Sequence, residues 1–152
     1  MRTTTVVCEH CGKKNRLPVA AKGTPSCGQC HQPLPWIVDA GDADFGEIAQ
    51  QASIPILVDL WAEWCVPCRQ VSPALARLAH ERAGQVKLVK VDVDRAPGLS
   101  ARYDVQAIPT LLVLRGGEVT ARQTGAAPAN VLRQWLDRAL SSGDVAAKQA
   151  GT

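Results

Sequence analysis

Long apolar runs are missing from this 152-residue chain: none approaches the roughly 18 residues that cross a bilayer, so a membrane-spanning role is not expected. The first residues also lack the apolar stretch of a secretory signal, and the expectation is a soluble, cytoplasmic protein. Strong charge is missing too, with 17 Lys and Arg against 14 Asp and Glu. The small excess sits at one end. Residues 1–35 carry Arg2, Lys13, Lys14, Arg16 and Lys22 against Glu9 alone, whereas the remainder holds twelve basic and thirteen acidic residues. That basic end has no Phe, Tyr or Trp, so the interleaved aromatics of a nucleic-acid surface are absent. A solvated basic face is the simpler reading, and no nucleic-acid partner is expected. There is no long Gly- or Pro-rich tract, and 46% of residues are apolar, enough for a real core.

What the chain does have is six cysteines in three Cys-x-x-Cys pairs. With no export signal, this arrangement argues for metal binding and redox chemistry rather than a secreted disulfide scaffold. Cys8-Glu9-His10-Cys11 and Cys27-Gly28-Gln29-Cys30 are fifteen residues apart, the spacing of a structural zinc site. A tight turn across each pair lets two thiolates converge, and two such turns complete a tetrahedron. Gly12 and Gly28 stand where the turns need backbone freedom. Extended runs over Thr3–Val7, Arg16–Val19 and Leu34–Val38 complete a zinc ribbon over residues 1–35. So small a segment has almost no core, and metal binding would supply most of its folding energy. Two disulfides, or a Cys3His site using His10 or His31, are the alternatives.

Cys65-Val66-Pro67-Cys68 differs in context. It follows the apolar run Ile54–Trp61, interrupted only by Pro55 and Asp59, which predicts a strand buried on both faces. Beyond it, Val71, Leu75 and Leu78 recur at helical spacing from about Cys68, with Pro73 expected to kink that helix. A thiol at a helix N-terminus meets unpaired backbone N–H groups and the positive end of the helix dipole, which favour the thiolate. Cys65 is then the attacking thiol, and Cys68, one turn further in, resolves the mixed disulfide.

The block Val58-Asp59-Leu60-Trp61-Ala62-Glu63-Trp64-Cys65-Val66-Pro67-Cys68 resembles the active-site block of the thioredoxin family, a likeness running from about residue 39 to 140. Thioredoxin is itself a standard example of a Cys-x-x-Cys redox motif of this kind. With the double knuckle included, the chain is similar to the zinc-bearing members. The resemblance implies an α/β thioredoxin fold, a central mixed sheet flanked by helices, over residues 36–141, with 142–152 a flexible tail. It implies a protein disulfide reductase acting on disulfide-containing proteins, recharged by a thioredoxin reductase. One structural Zn2+, no bound organic cofactor and a monomeric chain are expected with it. Asp59 would help move the proton of the second thiol, with Lys90 beside it. On the residues alone, Asp59 could be a structural buried acid and Lys90 a solvent-facing strand residue. Ile108-Pro109-Thr110 implies a cis Ile108–Pro109 bond facing the cysteines. Trp61, Trp64, Val66, Pro67, Ile108, Pro109 and Gly125 would form the substrate surface. Val66 departs from the family's Gly, which leaves the redox poise open and keeps an oxidase or isomerase as an alternative. A zinc-dependent binding or regulatory module is another.

Elsewhere the pattern predicts a helix from Asp42 or Asp44 to Gln51 with Phe45, Ile48 and Ala49 on one face, a strand over 86–92, and a short helix over 96–103. A strand ending at Leu114, a Gly116-Gly117 hairpin, a partner strand over 119–124, and a last helix ended by Ser141-Ser142-Gly143 follow.

Overall fold

Apolar side chains on both faces of a strand leave it nothing to turn to water, so such a strand must lie in the middle of a sheet. In the computed structural model, which describes residues 2–21 and 24–150 (side chains as far as 141), Ile56–Trp61 holds that central place. The ribbon hairpin is β1 (Thr3–Val7) against β2 (Lys14–Pro18), antiparallel. The main sheet then collects β3 (Ile37–Asp39), β4 (Ile56–Trp61), β5 (Lys87–Asp92), β6 (Thr110–Arg115) and β7 (Glu118–Thr124) in the order β3-β5-β4-β6-β7. The first three strands run parallel, and β6 and β7 are antiparallel additions, so the sheet is mixed as expected. Gly116 and Gly117 both have positive φ and close the β6–β7 hairpin.

The period of two divides each central strand between two cores. Ile56, Val58, Leu60, Val89, Val91, Leu112 and Leu114 point to one side, where Trp36, Phe45, Ile48, Leu99 and Tyr103 cover them. Leu57, Leu88, Leu111 and Val113 point to the other, under α1 (Val66–Glu81) and α3 (Ala129–Ala150), which supply Val71, Leu75, Leu78, Leu132, Trp135 and Leu136. Val19 belongs to the first core, with Leu17, Ala20 and Ala21 packed against it. The ribbon is therefore seated on the sheet domain rather than tethered beside it.

Three local expectations change. The helix expected from Asp42 or Asp44 to Gln51 is a single wide turn, Gly46–Gln50, although Phe45, Ile48 and Ala49 are buried as its pattern predicted. Asp44 accepts from the Gly41 N–H, while Asp42 reaches across the chain to the Gly98 and Leu99 N–H groups at 3.0 and 2.8 Å. It caps α2 (Pro97–Arg102), a partner 56 residues away that local pattern cannot reveal. α1 begins at Val66, so both residues between the cysteines are helical, and it continues through Pro73 to Glu81. α3 does not stop at Ser141-Ser142-Gly143 but runs to Ala150, because one interior Gly costs only about 1 kcal/mol and Val145–Ala150 are mostly good helix formers. Most of the expected tail, 142–150, is thus helical backbone, and Gly151 and Thr152 lie outside the described residues.

Candidate active site and metal centre

β4 delivers the chain to the Ala62-Glu63-Trp64 turn, and Cys65 then leaves the strand as the N-cap of α1 with extended backbone. Its Sγ accepts the Cys68 N–H at 3.2 Å, so a helix-end amide donates to sulfur where a Ser or Asp cap would otherwise stand. Cys65 and Cys68 form a disulfide with Cα atoms 5.3 Å apart. Both are buried, Cys65 the less completely. Pro67 sits in the first turn, where its missing N–H has no helical partner to lose.

The Ile108–Pro109 bond is cis, and the loop it shapes faces the cysteines. The Ile108 carbonyl oxygen lies 3.8 Å from Cys65 Sγ, and Ile108 packs with Ala62, Cys65 and Cys68. Trp64, Val66, Pro67, Val93, Ser100, Val105, Gln106, Ala107 and Ile108 surround Cys65 in a groove of about 580 Å3, and none of these residues is charged. Trp64 is 68% exposed and Val66 58%, large apolar surfaces that fit a binding role. Gly125 stands at φ +91 and donates to the Pro109 carbonyl at 2.8 Å, with open space where a Cβ would point. A side chain there is strained by the backbone and would project into that space.

On β4, the strand that leads to Cys65, Asp59 is 2% exposed, and burial raises its carboxyl to about 6 against the opposing effect of Lys90. Lys90 Nζ is 3.9 Å from Asp59 Oδ2, donates to Ser72 Oγ at 2.8 Å and lies 5.1 Å over the Trp61 ring. Parallel register places Asp59 directly opposite Lys90, so the pair is built by adjacent strands. Lys90 is not a solvent-facing strand residue: its ammonium lies between the acid, α1 and Trp61.

The other four cysteines converge. The sulfurs of Cys8, Cys11, Cys27 and Cys30 lie within 4.8 Å of one another, and the cross-knuckle pairs Cys8–Cys30 and Cys11–Cys27 are both 3.5 Å apart. These separations exceed a disulfide bond of about 2.05 Å. They suit a tetrahedron of thiolates around Zn2+, whose sulfur–sulfur edges for bonds of about 2.3 Å are about 3.8 Å. The knuckles are built alike: Gly12 and His31 follow the second cysteine with φ +77 and +65, and each donates to the first cysteine's carbonyl at 2.9 Å. The residue of the second knuckle that needs backbone freedom is therefore His31, not Gly28, whose φ is not positive. His10 and His31 are exposed and outside the cluster.

Asp94 and Ser72 are site neighbours, and Lys87 a buried charge further along β5, that the sequence pattern does not single out. Asp94 accepts the Trp64 indole N–H at 2.8 Å and so steers the exposed ring beside the groove. Ser72 sits one turn past Cys68 on α1, and its contact with Lys90 on β5 is made only by the packing of that helix on the sheet. Lys87 shares the buried face of β5 with Val89 and Val91.

Comparison with known proteins agrees with this geometry. Residues 36–138 match the Thioredoxin family. The chain is 38% identical to "Thioredoxin C-3" of Corynebacterium nephridii over 138 residues, covering 89% of this chain and 94% of that protein, a span that has to reach into the ribbon. "Thioredoxin C-2" of the same organism is 43% identical over 102 residues, and the thioredoxin of Haemophilus influenzae 42% over 102; each alignment covers 67% of this chain and 94% and 95% of those proteins. A dithiol pair capping a helix at the end of a central strand, a cis-proline loop against it and a family match across the whole sheet domain lead to one conclusion: the chain belongs to the thioredoxin family of thiol–disulfide oxidoreductases.

Proposed function

We propose that this protein is a general protein disulfide reductase in which Cys65 is the nucleophile and Cys68 the resolving thiol. The observation that carries the reading is the Cys65–Cys68 pair at the start of α1, opening onto an uncharged groove. In the reduced protein the Cys65 thiolate attacks one sulfur of a substrate disulfide. An S–S bond forms between enzyme and substrate, and the other substrate sulfur leaves as a thiolate that takes up a proton. Cys68 then gives its proton to Asp59, by way of water, and its thiolate attacks Cys65 Sγ. The second substrate sulfur departs and is protonated, two electrons having passed from the dithiol to the substrate. An acid raised to about 6 is a suitable acceptor near neutral pH, and Lys90 limits how far it rises. The exposed rings and methyls of Trp64 and Val66, with Trp61, Pro67, Ile108, Pro109 and Gly125, form the surface on which the substrate chain lies.

Cys8, Cys11, Cys27 and Cys30 would hold one Zn2+, which when bound ties the two knuckles and gives a core-poor ribbon its stability. We place the ribbon at 1–35 and the redox domain at 36–141, a division supported by a family match that begins at residue 36. Recharging by a thioredoxin reductase, a cytoplasmic location and a monomeric chain complete the reading. Among the described residues no helix is long and apolar enough to cross a membrane.

Zinc and free-thiol counts on wild type and on Cys65→Ser/Cys68→Ser test the assignment. The expected result is one zinc in each, two fewer titratable thiols in the variant, and insulin reduction only in wild type. Zinc lost from the variant would reverse the assignment of the pairs. A second reading, an oxidase or isomerase, draws on Val66 at the first helical position between the cysteines. Equilibration of the pair with glutathione separates the two, since a strongly oxidising potential is incompatible with a reductase.

A further inference from the structure

Among the described residues, Lys87 is the charged side chain that the redox mechanism leaves unused and the fold buries completely, at 0% exposure. Its Nζ donates to the Val19 carbonyl at 2.6 Å and to the Ile48 carbonyl at 2.8 Å, and lies 3.8 Å over the Trp36 ring. Among the described residues no carboxylate is in ion-pair contact with it. A buried ammonium without a counter-ion is costly, and here two main-chain dipoles and one aromatic face offset that cost. Those three groups come from three places: the segment between the two knuckles of the ribbon, the connector and the turn Gly46–Gln50. Lys87 itself opens β5, whose Lys90 faces Asp59.

We infer that Lys87 anchors the ribbon to the redox domain and is the residue through which metal binding in the ribbon stabilises that domain. The inference rests on the zinc reading of the four cysteines. Its physical basis is the placement of Val19. β2 leaves the first knuckle directly, with the Cys8 N–H bonded to the Lys13 carbonyl, and Val19 follows β2, its N–H bonded to the Arg2 carbonyl. Among the described residues the ribbon's own core is Cys8, Cys27 and Leu34, with Val6, Leu17 and Cys30 against it. Without a metal the hairpin has little to hold its shape, and the Val19 carbonyl leaves Lys87. The ammonium is then buried with half its acceptors gone, a penalty borne by β5 and the Gly46–Gln50 turn rather than by the ribbon alone. Burial lowers this ammonium to about 8, so it is charged at neutral pH.

The test uses the full chain at pH 7.0 with reductant throughout, in wild type, Lys87→Met and Lys87→Arg, each with its metal content measured. Unfolding midpoints are recorded as purified and after zinc removal by a chelator. Chelation is expected to lower the wild-type midpoint by roughly 5 °C or more, and the Lys87→Met midpoint by less than half as much. Lys87→Arg, which keeps a charge and donors, should retain most of the wild-type shift. An equal shift in wild type and Lys87→Met overturns the anchor. Protein purified without metal would instead show that the zinc reading has failed, and the unchanged midpoints would remove the anchor with it. Amide exchange in wild type decides the matter even if Lys87→Met does not fold. Chelation should speed exchange about tenfold at Leu88, whose N–H bonds the Trp36 carbonyl, because the Lys87 contacts pin that junction. Unchanged exchange there also overturns the proposal.

Discussion

Asp59 carries a folding cost and, in the proposed mechanism, a function as well. Burial raises its carboxyl to about 6, above its value in the unfolded chain. A raised acid favours the folded state below its unfolded pKa, and that contribution is lost as pH climbs through about 6. Asp59→Asn should therefore be more stable than wild type at pH 7–8, by ~2–3 kcal/mol, with the advantage gone below about pH 4. Urea unfolding across that pH range checks the sign, and an advantage that grows toward acid would contradict it. In the proposed mechanism the same variant should slow disulfide reduction near neutral pH, because Cys68 would lose its proton acceptor. Asp59 stands out in the sequence because it breaks an apolar strand. Lys87, equally out of place between Val86 and Leu88, does not, since a lysine in a strand is ordinarily turned to water.

At the scale of elements, the two knuckles repeat one turn with different residues at its critical point. Gly12 fills it without strain, whereas His31 holds φ +65 with a side chain attached. A left-handed conformation costs a non-glycine residue about 1–2 kcal/mol. His31→Gly should remove part of that strain and tighten zinc binding by about two- to fivefold, after allowing for the glycine's greater chain entropy. Competition with a chromogenic chelator measures it. Zinc affinity falling by orders of magnitude would mean that His31 is a ligand after all. Periodicity places most strands and helices correctly because each has apolar residues at a spacing its core demands. It misplaces the turn after Asp42, where five residues close one wide turn and the acid caps a helix elsewhere. It also stops α3 too early, at a glycine that the surrounding helix formers carry through.

For the molecule as a whole, the ribbon lies on the first core and its cysteines do not line the groove around Cys65. Metal removal should therefore loosen the ribbon without disabling the redox pair. A loss of about 2 kcal/mol from a domain of typical stability leaves it folded at 25 °C, so insulin reduction by chelated, reduced protein should stay within about twofold of the zinc form. Turnover abolished by chelation and restored by zinc would support a metal-gated module over a constitutive reductase.

Spacing alone is enough to separate four cysteines in a metal-site pattern from the pair at Cys65 and Cys68, since Cys-x-x-Cys turns are local and the two contexts differ within a few residues. The buried strand and the helix behind Cys65 are legible for the same reason: periodicity is written along the chain. The cis Ile108–Pro109 bond and the Asp59–Lys90 pair come from family likeness, because neither has a local signature. Only the folded structure decided what stands across space: Asp42 capping α2, Asp94 steering Trp64, Ser72 holding Lys90, and the Lys87 ammonium between the ribbon and the sheet. Each of these joins residues at least 18 positions apart, and their partners are chosen by packing and strand register, which no local pattern encodes.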